Sequence, residues 1–96
     1  MEKSDFKARI QGMVHQVVYS IGEEKIPYHI CSLQGNILTI QRESTKKTIE
    51  LNIDELYEYF TEENTHNTKT ARKHITTGYV YSPAAAVINA IKPKSK

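Results

Sequence analysis

IPYHICSLQGNILTIQRESTKKTIEL, residues 26–51, is the stretch that decides the fold. Three runs rich in β-branched and apolar residues are separated by two short polar breaks, the pattern of an antiparallel meander. Gly35-Asn36 reads as a two-residue hairpin turn, with glycine supplying positive φ at its first position. Closing the hairpin there pairs Leu33 with Leu38, Cys31 with Ile40 and His29 with Arg42. A four-residue loop over residues 43–46 then pairs Ile40 with Ile49 and Leu38 with Leu51. One face of the sheet therefore carries Cys31, Leu33, Leu38, Ile40, Ile49 and Leu51, and the other Ser32, Thr39, Gln41, Thr48 and Glu50. Side chains alternate with period two, so a one-residue slip would send the whole apolar set into water. Tyr28 and Ile30 break the pattern, standing as apolar residues on the polar face.

Working outward, residues 3–21 read as a helix. Phe6, Ile10, Met13, Val14, Val17, Val18 and Ile21 form one apolar stripe. Ser4 is the expected N-cap, Asp5 suits the first turn and Gly22 fits the position after the last turn. Gly12 weakens the middle by about 1 kcal/mol relative to Ala, and the β-branched pair Val17-Val18 is also a fair strand start. After the meander, Asn52 with Glu55 resembles a capping box opening a helix over residues 53–63. Its stripe is Ile53, Leu56, Tyr57 and Phe60, with Glu58, Glu62 and Glu63 on a solvated face. Asn67 or Thr68 could cap a short helix over residues 69–75, ended near Gly78. Ser82 as N-cap with Pro83 at the first helical position starts the last helix. Ala84, Val87, Ile88 and Ile91 form its stripe, Lys92 suits its dipole and Pro93 stops it.

The expected fold is α+β: an N-terminal helix, a three-stranded antiparallel meander, then two or three helices packed on one sheet face. Leu38 and Ile40 should lie buried under the helix bearing Leu56 and Phe60. Residues 1–92 form one small domain and residues 93–96 a disordered basic tail. A sheet this small leaves apolar surface uncovered, which makes a homodimer through the N-terminal helix or an open strand edge plausible.

With 96 residues, 39 % hydrophobic and 25 % charged, the chain has an ordinary globular balance, which excludes a disordered polymer, a collagen-like repeat and a disulfide scaffold. The lone cysteine, Cys31, sits between Ile30 and Ser32 inside an apolar stretch and reads as a small buried hydrophobe. Residues 1–10 lack the apolar core of a secretory signal, and no run reaches the ~18 apolar residues of a membrane span. The expectation is a cytoplasmic protein without a membrane partner.

Charge is unevenly placed. Residues 1–63 hold all 11 acids and 7 of the 13 bases, a net −4, while residues 64–96 hold 6 bases and no acid. Asymmetry of this kind marks an anionic partner, or two parts that face each other. Its densest cluster is Lys69, Arg72, Lys73, His74, Tyr79 and Tyr81, leading to Ser82. Lys69, Arg72 and Lys73 share one helix face at i, i+3, i+4. The first N–H groups of the last helix, at Ala84 and Ala85, have no acid beside them, and Thr70, Thr76 and Thr77 add neutral donors. Cations and hydroxyls position a phosphate backbone, and Tyr79 or Tyr81 could stack on an exposed base. Read otherwise, residues 79–81 are an edge strand or core plug among solvated cations. His29, Arg42 and Lys47 form a weaker basic set at one end of the apolar sheet face, a polar rim of the core.

No phosphate loop, zinc-ligand spacing or catalytic constellation is present. His15, His29, His66 and His74 are scattered, and the glutamates at 55, 58 and 62 read as a wet surface. The expectation is therefore a non-enzyme without metal or cofactor. Glu43 and Glu50 argue against a sheet face that reads DNA, and the connection from Ile75 to Ser82 is too long for a helix-turn-helix. Three function classes follow: a small accessory protein binding DNA or RNA through the basic C-terminal third, a homodimeric interaction or structural module, and a small nuclease with a His/Arg/Tyr site.

Overall fold

The turn at Gly35-Asn36 forms as its residues dictate, with Gly35 at φ +59°. In this computed structural model, which describes residues 2–20, 25–76 and 81–91, it joins β2 (Pro27–Gln34) to β3 (Ile37–Arg42). The loop after Arg42 leads to β4 (Thr48–Asn52), and Lys46 takes a left-handed backbone there, φ +60°. The pairs Leu33 with Leu38, Leu38 with Leu51 and Ile40 with Ile49 stand as the alternation required. Leu38, Ile40 and Leu56 are buried, and Phe60 packs against the same core.

Further along β2 the expected register fails. A bulge lies between Ile30 and Ser32, so Ile40 pairs with Ile30 rather than Cys31, and Arg42 pairs with Tyr28 rather than His29. One extra residue on one strand reverses which side chains face inward beyond it. Tyr28 and Ile30 thereby join the core. Cys31 is the residue left over. It is half-buried rather than part of the core, and its thiol reaches the His29 carbonyl at 3.6 Å.

The N-terminal helix is shorter than its apolar stripe implied. α1 spans Lys3–Gln11, and a fourth strand, β1 (Val17–Tyr19), follows it and pairs antiparallel with β2. The sheet order is β1-β2-β3-β4. Gly12, the weak point, is where the helix ends, and His15 at φ +78° turns the chain toward the sheet. Val17 and Val18 then fall on opposite faces, as strand residues must, with Val18 buried and Val17 exposed. Ser4 lies inside α1, whose N-cap is Glu2 without a side-chain cap. The proposed end at Gly22 lies outside the described residues.

α2 (Ile53–Glu62) opens where expected. Asn52 Oδ1 accepts from the amides of Asp54 and Glu55. The Asn36 carbonyl accepts from Ile53 N at 2.8 Å, and Asp54 pairs with Lys3, so hairpin, α1 and α2 meet at one corner. α1 docks on α2 through Phe6, whose ring centroid lies 5.3 Å from those of both Tyr57 and Phe60. Tyr59, absent from the stripe read above, is fully buried. α3 is the single turn Thr68–Ala71. α4 spans Tyr81–Ile91, and its residues 83–88 are all buried. Arg9 Nη1 donates to the Ile91 carbonyl at 3.3 Å, so one of the last carbonyls of α4 is satisfied by a cation from α1. Among the described residues no helix is long and apolar enough to cross a membrane. The expected tail at residues 93–96, with Lys92 before it, lies outside the described residues.

Candidate nucleic-acid interface

The basic segment is held against α2 by a dense set of polar contacts, and these determine which of its side chains face outward. Asn67 caps α3: its Oδ1 accepts from Thr70 N, and Thr70 Oγ1 accepts from Asn67 N, both at 3.0 Å. From below, the buried Tyr59 donates its hydroxyl to the Asn67 carbonyl at 2.9 Å. His66 Nε2 lies 3.0 Å from the Tyr59 carbonyl, which can only accept, so Nε2 carries the proton there. Asn89 Nδ2 donates to the His66 and Ala85 carbonyls, both at 2.8 Å, which ties the segment to α4. Ala71 and Ile75 are buried as its apolar anchors.

Against that frame the sequence-derived candidates separate. Lys69, Arg72 and Lys73 are all exposed. The Arg72 guanidinium carbon sits 5.4 Å above the ring centroid of the half-buried Tyr81, a cation–π arrangement that orients the arginine. His74 turns the other way. Its Nδ1 lies 3.0 Å from Glu58 Oε1 and its Nε2 2.8 Å from Glu63 Oε2, with only 8 % of the side chain exposed. Ser82 is the second residue of α4 rather than its cap, since the helix begins at Tyr81. Ala84 and Ala85 are fully buried, so no anion reaches their amides from solvent. Tyr79 lies outside the described residues, as does Gly78.

Two glutamates taken as solvated, Glu58 and Glu63, are instead the partners of His74. Glu55 adds a third contact, accepting from the backbone and hydroxyl of Thr76. The acidic face of α2 and the segment after it thus meet directly. The bond from Glu58 pushes the His74 imidazole above its ordinary range, with burial opposing and the Glu63 bond reinforcing the rise. The same contact with His74 holds the Glu63 carboxyl below its usual range. Burial raises the Tyr59 phenol. No signal in the sequence marked Glu58, Glu63 or Tyr59 as partners of this segment, because their contacts span 8 to 16 positions through a loop of unpredictable path.

The weaker basic set comes apart. The bulge puts His29 on the outer face opposite Gln41, while Arg42 stands on the core face opposite Tyr28. His29 lies 3.9 Å from Glu43, which also pairs with Lys46. Among the described residues no group of three or more His, Cys, Asp or Glu side chains is placed to hold a metal ion. Comparison with protein-family models, with curated proteins and with solved structures found no match to this chain.

Proposed function

We propose that this is a small, non-catalytic accessory protein that binds DNA or RNA through the outer side of α3 and the turn after it. Lys69, Arg72 and Lys73 contact phosphates and Tyr81 supports Arg72. One observation carries the reading. On a segment whose Ala71, His74 and Ile75 are turned inward, the three cations are exposed together within little more than one helical turn. Glu58 of α2 and Glu63 at its C-cap pair with His74, which lowers their repulsion of an incoming phosphate. Compared with the set read from sequence, the footprint is smaller: His74 and the α4 start are left out. A cytoplasmic location belongs to the same reading.

The test is the salt dependence of binding to random duplex and single-stranded oligonucleotides, read by fluorescence anisotropy. Each phosphate contact contributes up to about 0.9 to the log–log slope on duplex DNA. Replacing Lys69, Arg72 and Lys73 together by Ala should flatten the slope by roughly 2–3 and weaken binding evenly across sequences. Wild-type protein that binds neither form at low salt would refute the proposal.

A second reading, a homodimeric interaction module, has its own support. Ser20 N donates to Ile26 O and Gln16 O accepts from Ile30 N. By alternation the backbone groups of Val17 and Tyr19 face away from β2, along a sheet edge. The two residues are 41 % and 56 % exposed. Sedimentation of wild type against Tyr19→Lys separates this reading from the first, because an edge lysine should abolish a dimer and leave nucleic-acid binding intact.

A further inference from the structure

We propose that Glu58, His74 and Glu63 form a protonation latch that fastens residues 72–76 to α2 and releases them when the imidazolium loses its proton. Each ring nitrogen of His74 faces a carboxylate oxygen within 3.0 Å, and only the doubly protonated ring donates from both. A neutral ring keeps one donor and turns a lone pair toward the other carboxylate. The side chain is 8 % exposed, so water cannot readily replace the lost bond.

The groups facing the ring reinforce this. From α2 comes Glu58 and from its C-cap Glu63, with the Tyr59 ring centroid at 5.9 Å. Glu55 holds Thr76 two residues on. From the segment itself and the loop before it, Lys73 and His66 both favour the ionised Glu63. With the imidazolium present, two carboxylates share one cation. Without it they stand uncompensated at a half-enclosed site. What then still holds the turn is the burial of Ile75, the Thr76–Glu55 bonds and the amides of residues 72–75, which donate to the carbonyls of Thr68, Thr70 and Ala71. Residues 67–71 keep the Asn67 cap and Tyr59, so the opening is confined to 72–76.

The sign follows from linkage. A His pKa raised by folding adds stability that is complete below the unfolded value near 6.5 and is lost as pH rises through the folded value. Glu63, lowered, adds stability that is complete above its ordinary 4.5 and fades only as pH falls through its depressed value. The latch is closed between those limits and opens on the alkaline side.

The experiment uses the whole chain labelled with nitrogen-15. The His74 ring titration is compared with that of the urea-unfolded chain, and amide exchange at residues 72–76 is followed across the same pH range. His74 should titrate above the unfolded chain. Protection of residues 72–76 should then fall, beyond the intrinsic pH dependence of exchange, by about tenfold for each unit of that elevation. Glu63→Gln should lower the midpoint, and His74→Gln should remove the extra pH dependence. If His74→Gln does not fold, Glu63→Gln and Glu58→Gln serve in its place. A His74 midpoint at or below the unfolded value overturns the latch, as does protection that follows intrinsic exchange alone.

Discussion

Replacing Tyr59 by Phe removes one oxygen from the centre of the α2–α3 contact and leaves the ring in place. The hydroxyl donates to Asn67 O at 2.9 Å and lies 3.3 Å from Thr70 Oγ1. Whether the cost is small or large depends on what the loss leaves unpaired, since a buried group left without a partner costs about 1–3 kcal/mol and a replaced bond about 0.5–1.5. Here neither partner is stranded. The Asn67 carbonyl still accepts from Ala71 N at 2.9 Å, and the Thr70 hydroxyl still has the Thr65 carbonyl at 2.8 Å. The expected cost is therefore about 1 kcal/mol. For a domain of this size it should lower Tm by about 4–8 °C. Tyr59→Leu also forfeits the edge-on ring contact with His66, at 4.8 Å, and opens a cavity, so it should cost about 3 kcal/mol or more. Calorimetry at fixed pH, with urea titration as a check, measures both. A Tyr59→Phe protein melting within a degree of wild type, or as low as Tyr59→Leu, would refute the account of redundant partners.

Leu38→Ala empties a wholly buried site between Leu33 and Leu51 on a sheet that cannot collapse inward. A loss of about 2–5 kcal/mol is expected by urea denaturation. Lys46→Gly should raise Tm, because the lysine holds φ +60° in an exposed loop. Relief of about 1–2 kcal/mol of left-handed strain there exceeds the ~0.5–1 kcal/mol of added chain entropy, and thermal melting would show the gain directly.

The charge split along the chain has a double resolution in three dimensions. Part of it is spent internally, where Glu58 and Glu63 take His74 and Glu55 takes Thr76. Lys69, Arg72 and Lys73 stand at the surface, and Lys92, Lys94 and Lys96 lie outside the described residues. Counting charges by segment could not divide them, because the division depends on which way each side chain of one short turn points.

By itself the sequence determined the features that are local. Gly35 supplied the left-handed turn position and Asn52 the cap of α2, and the cap of α3 was narrowed to Asn67 or Thr68, of which Asn67 makes the bonds. Alternation over β3 and β4 placed Leu38, Ile40, Ile49 and Leu51 on one face, because a single register satisfied them all. Tyr28 and Ile30 carried a trace of the bulge, their apolar phase running one residue out of step with Leu33. Tertiary structure decided the rest. Val17-Val18 fits a helix or a strand locally, and pairing with β2 chose the strand. His74, read beside three cations as part of an outward basic face, turns inward, where two carboxylates of α2 and its C-cap lie within 3.0 Å of its ring. Period and capping are written in neighbouring residues. Burial and ion pairing are set by residues that folding brings together, and nothing in their spacing along the chain announces the meeting.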